Sequence, residues 1–180
     1  MLQRSKKFVL TGGPGVGKST IIELLKKEGF PTCKEIAREI ITEQLQVHGD
    51  VLPWKNKRAF QKKVLEGQLS LEQAIPRETK VFLDRGLHDP IAFYLESEAR
   101  IPTEFIQASK NAGYSIIFLL EPLPSYENDS VRREDDIRAR KLHHSIARVY
   151  GEFGYKLVSI PPVSPEKRLD LILKYAKHNQ

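Results

Sequence analysis

The sequence predicts an α/β fold in which five short parallel strands form one sheet covered by helices on both faces. Three observations carry that expectation. Apolar runs of strand length alternate with amphipathic helical stretches from one end of the chain to the other. The first run, "FVLT", feeds directly into "GGPGVGKS" and then a helical pattern. Of the 180 residues, 40% are hydrophobic and 29% charged, enough apolar surface for one core and too short a chain for two full-size domains. We therefore expect one domain over residues 1–180.

Taken in order, Lys7 to Thr11 reads as a buried strand and Lys18 to Glu28 as a helix. Pro31 to Lys34 is a short strand and Glu35 to Gln46 a second helix. After a loop with Gly49, Asp50 and Pro53, a helical stretch covers about Lys57 to Ala74, stopped by Pro76. Lys80 to Leu83 is the third strand, followed by a helix from about Pro90 to Ala99 and another opened by Pro102 and closed by Gly113. Tyr114 to Leu120 is the most apolar strand. Glu121 to Ser130, rich in Pro, Asn, Asp and Ser, reads as a loop. A charged helix over about Asp135 to Phe153, a strand Lys156 to Ile160, the turn Pro161-Pro162 and a helix from Pro165 complete the pattern. Right-handed crossovers then bring every strand's C-terminal end to one edge, where ligands bind.

Composition narrows the function classes. Cys33 is the single cysteine, so no internal disulfide forms, and a reducing cytoplasm is the expected setting. The longest apolar run, Ile116 to Leu120, is far below a membrane span. The basic start, Met1 to Lys7, is followed almost at once by Gly12 and Gly13, which does not fit a signal peptide. The net charge of +6 admits nucleic acid, an acidic lipid surface or a multiply anionic small substrate. Part of it clusters in Arg132, Arg133, Arg138, Arg140 and Lys141, and the rest is scattered among glutamates.

Gly12, Gly17, Lys18 and Ser19 fit the spacing G-x-x-x-x-G-K-[ST]. The glycines leave no side chain between the backbone amides and an anion, and the helix starting near Lys18 adds free N–H groups and a positive dipole end. In such a loop the lysine reaches β/γ-phosphate oxygens and the Ser19 hydroxyl is a Mg²⁺ ligand. Asp84 ends the third strand beside that loop, in "VFLDRGLHD", and is placed to hold Mg²⁺ or its water shell; the alternative is a turn or helix-capping aspartate. Arg85 follows where many hydrolytic P-loop proteins carry a water-polarising glutamate. It is a candidate for stabilising transferred charge or holding an anionic substrate. Asp89 is a weaker candidate that precedes Pro90 and also suits a helix start. No N-K-x-D follows a strand, which leaves guanine specificity unsupported.

After the second strand, "KEIAREI" puts Glu35 and Arg38 three residues apart on one helix face. A carboxylate there takes a proton from an attacking hydroxyl and Arg38 holds other polar groups of the substrate; the alternative is a surface ion pair. "SVRREDDIRARK" places Arg133, Ile137 and Arg140 on one face and Arg138 on another, either as a segment that closes over phosphates or as a salt-bridged exposed helix. His143 and His144 are adjacent and so on different faces, which argues against a shared metal site. Tyr150, Phe153 and Tyr155 are expected to pack their helix onto the sheet, and Trp54 is a candidate for stacking on a base or a rim contact.

"GGPGVGKST", "EIAREI", "VFLDRGLHD", "RREDD" and "VSIPPVSPEKR" occur in an order that resembles a family of small P-loop ATPase-like domains. These are similar to the nicotinamide riboside kinase domain of a bifunctional bacterial NAD-biosynthesis protein, and more broadly to nucleoside and nucleotide kinases. The resemblance implies a three-layer αβα P-loop NTPase with a five-stranded parallel sheet and an arginine-bearing lid at about residues 125–141. It implies ATP with Mg²⁺ on Gly13, Gly15, Val16, Gly17, Lys18, Ser19 and Thr20, with Arg140 and Pro162 beside the nucleotide and adenine near Pro161 to Ser164. Ser19 and Asp84 are the implied metal residues. Lys18, Glu35, Asp84, Arg85, Arg133 and Arg138 are the candidate catalytic set, and Glu35, Arg38, Arg85 and Asp89 the acceptor side.

The leading expectation is a phosphotransferase moving the ATP γ-phosphate to a small hydroxyl-bearing acceptor such as a nucleoside. The alternative is an ATP-dependent switch that recognises a protein or phosphoinositide partner. Nucleic-acid end modification is the weakest reading, since the chain has no aromatic-basic surface or nucleic-acid module.

Overall fold

The structure, a computed structural model, describes residues 6–76, 78–96, 100–124 and 130–178, with the backbone alone for 130–136 and 178. Five strands, β1 (Lys6–Thr11), β2 (Thr32–Cys33), β3 (Lys80–Asp84), β4 (Ile116–Leu120) and β5 (Leu157–Ile160), form one sheet in the order β2-β3-β1-β4-β5. Every pairing is parallel, with Phe8 opposite Phe82 and Ile116, and Leu10 opposite Asp84 and Phe118.

Among the described residues seven helices accompany them: α1 (Lys18–Lys27), α2 (Ile36–Gln46), α3 (Lys57–Gln73), α4 (His88–Leu95), α5 (Thr103–Lys110), α6 (Ser130–Glu152) and α7 (Pro165–His178). The period-two alternation of β1 sorts its residues between two cores. Phe8 and Leu10 join Phe82, Phe118 and Ile160 under Ile21, Ile22 and Leu25 of α1 and Ile172 of α7. Val9 points to the opposite face, with Leu83 and Ile117 under Leu65, Ile91, Ile146 and Val149 of α3, α4 and α6. A smaller cluster, Ile36, Ile40, Phe60 and Val64, joins α2 to α3.

Local chemistry sets the helix ends. Asn56 caps α3 by accepting from the Ala59 N–H at 3.1 Å, and Gly29 at φ 82° closes α1. Three boundaries differ from expectation in ways that matter. β3 runs through Asp84, so the acid belongs to the strand. α4 starts at His88, two residues ahead of Pro90, which puts His88 and Asp89 in its buried first turn; residues 97–99 lie outside the described residues. α6 begins at Ser130, five residues earlier than Asp135, because arginines and acids spaced three and four apart favour continued helix. The expected lid is therefore, over 130–141, the first turns of α6, while its residues 125–129 lie outside the described residues.

Among the described residues no helix is long and apolar enough to cross a membrane.

Candidate active site

β1 delivers the chain into a loop whose Gly12, Gly15 and Gly17 take φ of 135°, 73° and 88°, values that side chains rarely tolerate. Gly17 is the N-cap of α1, and the Lys18 amine folds back to donate to the carbonyls of Gly12 at 3.4 Å and Gly13 at 3.1 Å. Burial, then the Arg85 charge, lower the Lys18 pKa to about 8. Thr11, the last strand residue, donates its hydroxyl to Asp89 Oδ1 at 2.6 Å.

Asp84 is 5% exposed at the end of β3, and its Oδ1 has no hydrogen-bond partner among the described residues. Burial, then the Glu35 carboxylate, raise its pKa to about 6. A buried carboxylate oxygen left unpaired, beside Glu35 and Ser19 on the wall of one cleft, fits a hard divalent cation held by oxygen ligands. Ser19 and Asp84 are the residues that would hold it.

Arg85 sits at φ 75°, left-handed although it is not glycine. That turn sends its guanidinium back over the sheet edge. Nε donates to Glu35 Oε1 at 2.9 Å, while Nη1 donates to Asp89 Oδ1 at 2.8 Å and to the Gly12 carbonyl at 3.2 Å. Burial works against its charge, but Asp89 and Glu35 outweigh that and hold the group firmly protonated. Glu35 is the N-cap of α2, its backbone extended at ψ 110°, and the side chain points across to Arg85 instead of capping its own helix.

The Asp89 carboxylate, 0% exposed, is committed to four donors: Thr11, Arg85, the Gly86 N–H at 3.1 Å and the Tyr150 hydroxyl at 2.7 Å. Behind it lies a second polar chain that sequence reasoning missed. Gln68 donates to the Arg85 carbonyl at 3.2 Å and to Glu72 at 3.0 Å; the Tyr114 hydroxyl donates to Glu72 and accepts from the Leu87 N–H; Lys7 pairs with Glu72 at 2.8 Å. Gln68 and Glu72 carry no sequence signal for this role, since their partners outside α3, Arg85, Tyr114 and Lys7, lie 17 or more residues away along the chain. His88 is enclosed by Tyr114, Tyr150, Phe153 and Tyr155, so these aromatics pack around an imidazole as well as onto the sheet.

Two clefts meet at Glu35. The larger, about 770 Å³, has apolar walls from Ile41, Phe60, Val64, Pro90, Phe93 and Leu142, and its polar groups include Glu35, Lys57, Gln61, Arg85, Asp89, Glu96 and Arg138. The other, about 530 Å³ between α1 and α2, holds Ser19, Asp84, Lys34 and Arg38. Arg38 and Arg85, expected together, thus flank different clefts, because α2 starts at Ile36 and its turn carries residue 38 to the α1 side. Arg140 lines a niche of about 120 Å³ along Gly13 to Val16 with Pro122 and Leu123. The Arg133 side chain lies outside the described residues. Trp54 is 63% exposed and borders neither cleft, although Pro53 lines the larger. Pro162 follows β5 in a turn tied down by Arg168, a buried side chain that sequence reasoning passed over. Arg168 donates to the carbonyls of Val16 at 2.5 Å, Pro161 at 2.8 Å and Glu121 at 2.8 Å, joining the P-loop to the loops after β4 and β5.

A glycine loop between β1 and α1, an acid at the end of the adjacent strand and this strand order define a P-loop NTPase fold of the nucleoside and nucleotide kinase type. Residues 7–168 match the family model described as AAA domain, and the chain belongs to that family. Among solved structures it is similar to NadR in complex with NR, with a TM-score of 0.65 and 18% identity over 95% of this chain and 50% of that one. NadR with NAD and AMP-PNP matches at 0.65 and 16% identity, over 97% of this chain and 49% of that one. Thymidylate kinase from Ehrlichia chaffeensis matches at 0.64 and 13% identity over 98% and 100% of the two chains. The chain spans about half the length of the NadR structures, and at these identities the likeness is one of fold. No curated protein matches the sequence.

Proposed function

We propose that the protein is an ATP- and Mg²⁺-dependent phosphotransferase that phosphorylates a hydroxyl group of a small molecule, with a nucleoside as the leading acceptor. The observation that carries this reading is Glu35: one carboxylate, shared by both clefts, tied through Arg85 to the Gly12 carbonyl of the P-loop. A hydroxyl has a proton to lose, and Glu35 is the group within reach of both cavities to take it. An acceptor that is already a phosphate needs no base.

In this reading the amides of Gly15 to Thr20 face the nucleotide's phosphates, the Gly13 N–H being taken by His143, and Lys18 exchanges its two carbonyl partners for phosphate oxygens. Ser19 and Asp84 hold the cation, which supplies neutralisation of phosphate charge when bound. Glu35 accepts the hydroxyl proton, and Arg85 steadies both that carboxylate and the charge moving between the clefts. Asp89 contributes by positioning Arg85, since among the described residues its carboxylate accepts from four donors of the protein itself. Phe60, Phe93 and Ile41 exclude water around the acceptor. Arg38 faces the cation side, and Arg133, Arg138 and Arg140 belong to the lid.

The test is a panel of nucleosides, nucleoside monophosphates and small hydroxy metabolites incubated with ATP and Mg²⁺, read by ADP release and by mass of the product. A phosphorylated hydroxyl acceptor is expected. Tight ATP binding with no acceptor turned over, together with partner affinity that depends on ATP, would replace this reading by the switch.

A further inference from the structure

α6 meets the P-loop backbone against backbone. A Cβ built on Gly13 would lie 2.8 Å from the Ala139 carbonyl oxygen and 3.3 Å from His143 Cβ, so no side chain fits between loop and helix. The same contact is bonded: the Gly13 N–H donates to His143 Nδ1 at 3.3 Å. With Nδ1 accepting, the ring proton is on Nε2, which faces Glu121 Oε2 at 3.3 Å. Glu121 Oε1 in turn accepts from the Ser159 hydroxyl at 2.6 Å. One imidazole therefore joins α6 to the P-loop and to the ends of β4 and β5. The clamped turn carries two arginines. Arg138 lines the larger cleft, Arg140 lines the niche along Gly13 to Val16, and Ala139 between them lines both.

We infer that His143 is a positioning residue, clamping α6 onto Gly13 so that Arg138 and Arg140 straddle the P-loop, one toward each side of the transfer. The arginines' roles rest on the phosphotransferase reading, whereas the clamp does not. Only the neutral ring can do this, because a protonated imidazole has no lone pair for the Gly13 N–H. Burial favours the neutral form. The groups around it are Glu121 from the end of β4, which favours charge, and His144 on α6 and Lys18 on α1, which oppose it. Arg168 of α7 holds the Glu121 carbonyl from behind. Acid is therefore expected to open the clamp.

Asparagine and glutamine separate the two halves of the contact. Asn puts a carbonyl oxygen near the Nδ1 position and keeps an acceptor for Gly13, whereas Gln puts an amide near Nε2 and keeps only the Glu121 side. In the ligand-free ¹⁵N-labelled chain at fixed pH, His143→Gln should speed Gly13 amide hydrogen exchange at least tenfold, and His143→Asn should stay within threefold of the parent. ATP·Mg²⁺ affinity should fall at least threefold in His143→Gln and recover in His143→Asn. The parent should lose affinity from pH 7 to 5 more steeply than His143→Asn. Equal Gly13 exchange in the parent and His143→Gln, or matching behaviour of the two variants, would overturn the clamp. Unfolding midpoints recorded alongside separate it from general destabilisation, which would move the two variants together. If the parent binds no ATP, the phosphotransferase reading fails and Gly13 exchange alone decides the clamp.

Discussion

Replacing Gly86 with alanine tests the packing that holds Arg85 in place. Gly86 is not among the positive-φ glycines, so alanine meets no backbone strain there. Restricting the unfolded chain would by itself stabilise by about 0.4–1 kcal/mol. The added methyl, however, would sit 2.7 Å from the Tyr114 hydroxyl, 2.8 Å from that of Tyr150 and 2.9 Å from Tyr114 Cζ. Neither ring is free to retreat, since Tyr114 is bonded to Glu72 and Leu87, and Tyr150 to Asp89. Overpacking costs about 1–3 kcal/mol, and a buried group left without its hydrogen bond about 1–3 kcal/mol more. We expect a net loss of about 2–4 kcal/mol, and at about 2–4 °C per kcal/mol for this chain length a fall in Tm of roughly 4–16 °C. Urea unfolding of Gly86→Ala, Tyr150→Phe and the double variant measures it. Removing the hydroxyl should recover part of the cost, giving a double variant less destabilised than the sum of the singles. A Gly86→Ala protein within about 0.5 kcal/mol of the parent, the range of an ordinary surface change, would refute the reasoning.

Other expectations concern the chemistry. Lys18→Ala should abolish most ATP affinity or turnover while leaving the thermal transition in place; unchanged affinity and turnover would remove the loop from the phosphate site. Glu35→Gln should spare ATP binding and lower transfer by roughly 10²–10⁴-fold, the usual contribution of a general base; full transfer would make Glu35 a partner of Arg85 and nothing more. His88 should govern part of the acid limb of stability. Burial lowers its pKa from the ordinary 6.5 to about 4, so the unfolded chain takes up the proton first and stability is lost as pH falls from about 6.5 to about 4. The loss is about 3 kcal/mol at 1.36 kcal/mol per pKa unit. Asp84, raised to about 6, acts in the opposite sense below that pH, so the quantity to read is the stability difference between the parent and His88→Phe across the window. A difference independent of pH would show that His88 is not the group responsible.

Much of the site could be read in one dimension because its parts are short-range. The P-loop is a contiguous run whose glycine angles and helix start are local properties, and Asp84 and Glu35 follow strands directly. Alternation of apolar runs was enough to place five parallel strands, since each strand must bury both faces and so reads as a continuous apolar stretch. The inexact boundaries have local causes too: α4 takes in His88 and Asp89 ahead of Pro90 because their side chains bury among Tyr150, Thr11 and Arg85.

The sequence by itself determined the fold class, the phosphate loop and the candidate acid at the end of β3, each set by hydrophobic period or by backbone chemistry within a few residues. Only the tertiary structure decided which polar groups meet. It put Arg38 and Arg85 on different clefts, turned Asp89 inward onto four donors, wired Glu72 and Gln68 to Arg85, and brought His143 and Arg168 to the P-loop across 130 and 152 residues of chain. The physical reason is that buried charges and amides take whatever partner the packing of helices on a twisted sheet brings within about 3 Å. Sequence spacing carries no record of that distance.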